Sequence, residues 1–177
     1  TFFSIPYFKI LSENKDFTIT PRFYAKDQLL IQNEYREVNQ YSKIITDFSI
    51  LSDKKGSDSH LFLNLNKKAN IKNFENTNID ITLEQVSNDT YLKANKLTSP
   101  IISGYDVLEN SIEFNLTSKD TNIDAEFIVF ENLNRVSSDK YEYIFPRINL
   151  IQNIENKTSL EGKFKLESDN FIHNYDT

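Results

Sequence analysis

The sequence predicts an all-β fold, an antiparallel meander of long strands, on three observations. First, Ile112, Phe114 and Leu116 alternate with Ser111, Glu113, Asn115 and Thr117, and Ile123, Ala125, Phe127 and Val129 alternate with Asn122, Asp124 and Glu126. A period of two sends successive side chains to opposite faces of a pleated strand, whereas a helix would scatter them around its circumference. Second, no capped 3.6-residue apolar stripe persists for the length of a helix. Third, the chain has only 3 Gly and 4 Pro. Its turns fall to Asn, Asp, Ser and Lys, and Ser and Asp bond locally to backbone and favour bends.

In order, Thr1–Leu11 reads as one β-prone aromatic strand, with Pro6 marking an edge, a bulge or a strand start because it lacks a backbone donor. After a turn at Ser12–Lys15, residues Asp16–Ala25 set Phe17, Ile19, Pro21 and Phe23 against Thr18, Thr20, Arg22 and Tyr24. Lys26–Asp27 leads into Gln28–Glu37, with Leu29, Ile31 and Tyr35 opposite Gln32, Glu34 and Arg36. Tyr41–Leu51 places Ile44, Phe48 and Ile50 against Lys43, Asp47 and Ser49, a pattern that Ile45 breaks. A loop is expected at Ser52–Ser59, then a strand at His60–Lys67, an irregular stretch at Asn70–Asn76 and a strand at Asn78–Ser87. Asn88–Asp89 turns the chain toward Tyr91–Leu92, and Lys96–Tyr105, with Pro100 and Gly104, is the longest candidate loop before the hairpin. That hairpin spans Glu109–Glu131 and turns at Ser118–Thr121. A loop at Asn132–Asp139 and strands at Tyr141–Asn149 and Ser159–Glu167 complete the chain. The total is roughly nine or ten strands of about 8 to 11 residues, longer than the usual mode and matched to strands that cross a bilayer at a tilt.

Bulk properties narrow the function. The 177 residues suffice for one unit with its own core. A net charge of −6 and a pI near 5.0 disfavour nucleic acid, whose phosphates demand clustered Lys and Arg. Cys is absent, which removes disulfides and thiolate metal sites. No apolar run approaches the roughly 18 residues of a spanning helix, but a membrane barrel leaves no such run, because alternation keeps hydropathy low. Mean hydropathy is −0.51. The first residue is Thr1, and the chain is expected to be a fragment.

Catalytic signals are sparse. His60 and His173 stand apart, without a cluster of ligands, so a satisfied or solvated imidazole is expected at each. Asp53, Gly56 and Asp58 lack the order of a calcium loop. Glu113 and Glu126 could face each other as a carboxylate pair, although charged rows are the commoner cause. The sequons at Asn88, Asn115 and Asn156 are unremarkable in a chain so rich in Asn. No phosphate loop, nucleophile elbow or dinucleotide fingerprint is present.

Several stretches together resemble the barrel domain of the LptD family, the lipopolysaccharide-assembly outer-membrane proteins also called organic solvent tolerance proteins. Thr18-Ile19-Thr20-Pro21-Arg22-Phe23, followed by Leu29-Leu30 and Glu34-Tyr35-Arg36, is similar to the family's T-x-T-P-R-Y and L-L-x-x-x-E-Y-R. Ser87-Asn88-Asp89-Thr90-Tyr91-Leu92-Lys93 is similar to its S-D-D-T-Y-L-R. Tyr143-Ile144-Phe145-Pro146-Arg147-Ile148 stands where the family has an apolar strand with Pro. The resemblance implies a transmembrane antiparallel barrel in the bacterial outer membrane, of which residues 1–177 are one part without an internal boundary, seen as an open curved sheet. It also implies lipopolysaccharide, membrane lipid and a lipoprotein plug subunit as partners, and neither enzymatic activity nor a cofactor. The family's Cys have no counterpart in this chain.

On that reading Glu113, Asp124, Glu126, Lys163 and Lys165 face a lumen, while Ile112, Phe114, Leu116, Phe127 and Val129 face lipid. Pro6 and Pro21 belong near a seam where Pro weakens pairing, and strand-end aromatics such as Tyr7, Tyr24, Tyr41, Tyr91 and Tyr141 are expected at two levels. Two rivals remain. A soluble β-sandwich or jelly-roll binding module would bury its apolar rows under a second sheet, and a β-rich carbohydrate-active enzyme would show a convergent carboxylate pair.

Overall fold

The computed structural model describes residues 1–25, 28–53, 56–155 and 161–173. They form one antiparallel sheet of eleven strands: β1 (Phe2–Ser4), β2 (Tyr7–Ser12), β3 (Lys15–Tyr24), β4 (Gln28–Asn39), β5 (Ser42–Asp53), β6 (Gly56–Ala69), β7 (Asn76–Val86), β8 (Val107–Thr117), β9 (Thr121–Asn132), β10 (Tyr141–Glu155) and β11 (Glu161–His173). From β3 onward each strand pairs with the next, while β1 and β2 both pair with β3 and together form the first edge. The sheet is open, because β11 and the β1–β2 edge are its two ends.

Four expectations change. The chain is not continuous through Pro6: β1 pairs Ser4 with Arg22 and β2 resumes with Tyr7 opposite Ile19. Thr20 and Pro21 therefore have no ladder partner on that side, and the two prolines lie at one break. The loop expected at Ser52–Ser59 is instead a tight hairpin, with Asp53 opposite Gly56 and Ser49 opposite His60. Strands β10 and β11 extend past the expected ends at Asn149 and Glu167. A short helix, α1 (Tyr91–Asn95), stands where only a turn was expected. The expected turn at Lys26–Asp27, the sequon at Asn156 and the strand start at Ser159–Leu160 lie outside the described residues.

Register partners share a face, so the ladders sort every strand residue into two sets. One face carries rows such as Pro21, Ile31 and Ile50, Leu63 and Leu83, and Ile81, Ile112 and Phe127. It is apolar and open to its surroundings: Phe23 is 52% exposed, Ile50 50% and Phe164 50%. The other face carries Gln32, Ser49 and His60 in one row and Asp80, Glu113, Glu126 and Arg147 in another. Pro146, inside the doubly paired β10, falls where both ladders shift between Ile144 and Arg147. A bulge is where an interior strand tolerates a residue without N–H.

The 87–106 insert between β7 and β8 folds back over the polar face. Asn88 Oδ1 accepts from the Thr90 N–H and hydroxyl, both at 2.9 Å, which turns the chain into α1. The helix stops as Lys96 adopts φ 48°, with Leu97 N–H on Leu92 O at 3.2 Å and Lys96 N–H on Lys93 O at 3.3 Å. This double bond pattern usually has Gly at its left-handed position, and here Lys fills it. Tyr91, Leu92, Leu97 and Ile101 of the insert then form one buried cluster with Leu30, Phe62, Leu108 and Leu133. Ile45, Leu51 and Val86 pack against it.

Candidate functional site

The most organised polar constellation lies beneath the insert, at the end of the polar face where β7 and β8 stop pairing. Ser49 and His60 stand directly opposite, and the other residues on adjacent strands meet as diagonal neighbours, a reach the sheet geometry allows to long side chains. Arg22 donates through Nη1 to Asn95 O at 2.9 Å and through Nη2 to Gln32 Oε1 at 3.0 Å. Gln32 Nε2 donates to Asp47 Oδ2 at 2.8 Å and to Thr98 O at 3.2 Å. His60 joins Asp47 Oδ1 through Nε2 at 3.0 Å and Ser49 Oγ through Nδ1 at 2.7 Å, and Ser49 Oγ meets the Tyr91 hydroxyl at 2.6 Å. A carboxylate only accepts, so Nε2 is the donor to Asp47. For a neutral imidazole the order of donation is then Tyr91 to Ser49 to His60 to Asp47.

Asp47 and Ser49 are fully buried and His60 is nearly so. Asp47 is shut from water, and Arg22 reaches it only through the Gln32 amide rather than by contact. Such a network stabilises only when every member is satisfied. Tyr24 donates to Asn95 Oδ1 at 3.0 Å and holds that side chain, while the Tyr105 hydroxyl donates to Leu97 O at 2.7 Å and fixes the insert's own backbone. Burial beneath the insert pushes the Tyr91 phenol up to about 12, and the Ser49 bond only partly opposes this.

Ser49, His60 and Asp47 are the residue types of a nucleophilic triad, but the arrangement is sealed. The Ser49 oxygen is held by Tyr91 and has no exposed surface. No substrate carbonyl could reach it with the insert in place. What the geometry does is anchor the insert, by donor–acceptor pairs that cross from three strands to its backbone and side chains.

A second set of contacts holds the rim. Lys93 pairs with Asp106 and donates to Asn134 Oδ1 at 3.2 Å. Lys140, in the short 3₁₀ turn Ser137–Lys140, bridges Asp89 at 2.8 Å and Glu131 at 2.6 Å. Burial works against its charge, yet the two carboxylates raise its pKa above the usual lysine value. The Lys93 bond and the Asn134 amide hold the Asp106 carboxyl below its usual range. Where the β7–β8 ladder ends, the Asn110 amide takes its place, accepting from Glu84 N–H at 3.1 Å and donating to Glu84 O at 3.2 Å.

The residues singled out by alternation divide between the faces. Glu113, Asp124, Glu126, Lys163 and Lys165 share the insert-bearing face, beyond the insert's cover, whereas Ile112, Phe114, Leu116, Phe127 and Val129 share the opposite one. Glu113 does stand opposite Glu126, but Arg147 Nη1 holds Glu126 at 2.9 Å and its Nε holds Asp169 at 2.9 Å. Of the aromatics expected at strand ends, Tyr24 and Tyr141 lie toward the insert's end and Tyr41 at the other. Tyr7 pairs mid-ladder with Ile19, and Tyr91 is buried in α1, so neither joins a belt. His60 is satisfied as expected, but its partners were missed. Their signal was the run of apolar exceptions on the polar face: Leu30, Ile45, Phe62 and Val86 interrupt the alternation where the insert sits. No protein-family model matches the chain, and no curated protein matches it.

Proposed function

We propose that the chain is a segment of an outer-membrane β-barrel that carries lipopolysaccharide to the outer leaflet. Lipid would lie against the face of Ile112, Phe114, Leu116, Phe127 and Val129, and water against the face of Glu113, Asp124, Glu126, Lys163 and Lys165. The observation that carries the reading is a single sheet with exposed apolar rows on one face and, among the described residues, no second sheet over them. Soluble monomers rarely expose contiguous apolar patches beyond a few hundred Å², and hydrocarbon removes the cost. Strands β3 to β11 have 10 to 15 residues, enough for the roughly 9–11 that a tilted crossing takes. The two open edges call for further strands of the same kind, since only closure satisfies their backbone groups in lipid.

The cargo rests on the resemblance, whose separate stretches meet in the fold. The stretches that resemble the family at Thr18–Phe23, Leu29–Leu30 and Ser87–Lys93 are far apart in sequence, yet Arg22, Leu30, Tyr91 and Leu92 converge at one buried site. Pro6 and Pro21, at the one break in the first edge, fit a seam of weakened pairing, and a lipoprotein subunit would occupy the uncovered part of the polar face. The function is transport rather than catalysis.

The test uses photo-crosslinking residues at positions 113 and 114 of the full-length protein in outer-membrane vesicles. Position 113 should capture lipopolysaccharide and position 114 phospholipid. A monodisperse aqueous monomer that captures neither would return the chain to the soluble binding-module reading.

A further inference from the structure

We propose that residues 87–106 are a movable gate that controls access of water-borne molecules to the polar floor made by Arg22, Gln32, Asp47, Ser49 and His60. Two paired neighbours, β7 and β8, need only a short turn between them, as β4 and β5 show with Asn39 opposite Ser42. The chain instead spends twenty positions, 87 to 106, on a detour. Long connections of this kind in compact structures are usually binding loops or lids.

The gate has a seat and a latch of different chemistry. The seat is mixed: Tyr91, Leu92, Leu97 and Ile101 meet Leu30 and Phe62, while Arg22, Gln32 and Ser49 bond Asn95, Thr98 and Tyr91. Part of the floor here is a line of side chains that water can re-solvate, so separation leaves a hydrated strip beside Leu30 and Phe62, as at the mixed interfaces between bodies that part. The latches are charged and lie at the rim, where Lys93 and Asp106 are 47% and 55% exposed and Asp89 is 45% exposed. Exposed pairs contribute little each and weaken with salt. Lys93 and Asp106 belong to the insert's own two limbs, whereas Lys140 and Asn134 tie it to the β9–β10 connection. Releasing them leaves the insert held by its seat alone, while the strand ladders stay intact.

The chain has no Cys, so one introduced thiol reports cleanly. Ser49→Cys is placed under the gate, and Thr77→Cys, buried on the opposite face at the far end of β7 and so away from the insert, reports opening of the sheet itself. Both are reacted with a charged, water-soluble thiol reagent in the full-length protein. Removing the latches with Asp89→Ala and Asp106→Ala should speed labelling at position 49 by about three- to tenfold, as should high salt, with position 77 unchanged. Trypsin cleavage after Lys93 and Lys96 in chains with native Ser49 gives a second readout and should accelerate in parallel. Labelling at 49 that ignores the latches, or that rises only together with 77, overturns the gate. In a lipid bilayer the same latch variants should raise ionic conductance. If labelling responds but conductance does not, the gate stands and the membrane reading falls.

Discussion

Two ends of one face obey the same alternation and have opposite physics. Near the insert, Asp47, Ser49 and His60 are buried and every polar atom named there has a partner. Toward the other end, Asn66, Asn78 and Asp80 form an amide–carboxylate ladder, with Asn66 Nδ2 on Asp80 Oδ1 at 2.6 Å, and Asn122 and Asn149 do the same around Asp124. Those groups are half-buried by their neighbours and, among the described residues, lie outside the buried cluster under the insert. The strands are alike in both regions; what separates them is the second layer. A polar row becomes structural only where something shuts it from water, because the same contact in water exchanges one partner for another at little net gain.

Breaking the contrast requires matched substitutions. The largest effect is expected at Asp47→Ala, which strands Gln32 and His60 without their shared acceptor and should cost about 3–5 kcal/mol. Asp124→Ala in the open ladder should cost under about 1 kcal/mol. Denaturant unfolding of both variants, read at constant m-value, checks the difference. Leu92→Ala should follow at about 2–5 kcal/mol, since the fully buried side chain leaves a cavity between insert and sheet. Across the sheet, Phe114→Arg or Phe127→Arg should cost about 2–4 kcal/mol in lipid, and Glu113→Gln little. Membrane-folding titrations decide this, and equal tolerance on both faces would remove the apolar face from lipid.

The pH dependence sharpens the comparison. The Tyr91 phenol titrates at about 12, above the free value near 10, so its contribution is complete below pH about 10 and is lost as the pH climbs toward 12. Tyrosinate absorbance should show a component that ionises near pH about 12, and Tyr91→Phe should remove it. The smallest effect belongs to the rim. Asp106 is held below its ordinary value, so its pairing persists above pH about 4 and fails as the pH drops through the lowered value. Salt should blunt the change.

How much of this was written in the sequence differs by layer. Strand existence and facing were legible from period two, since the Glu109–Glu131 hairpin turns at Ser118–Thr121 as its residues require. Strand ends were not. The Asp53–Gly56 turn is too tight for Ser52–Ser59 to read as anything but a polar loop. Pro6 signalled a break but not that β1 and β2 would share one partner strand. The insert was hardest, because α1 is one turn long and its stability comes from the cluster beneath it rather than from a repeating stripe. Only the exceptions on the polar rows, Ile45 first among them, betrayed a covering element. The Asp47–Ser49–His60 contacts depend on a register that alternation alone leaves open by two residues at a time.

Spin-label accessibility along β8 and β9 of the full-length protein in lipid tests the account most directly. Labels at 112, 114, 116, 127 and 129 should collide with dissolved oxygen, and labels at 113, 124 and 126 with a charged aqueous relaxer, in strict alternation. Equal exposure of both rows to the aqueous relaxer would contradict a sheet with lipid on one side and water on the other.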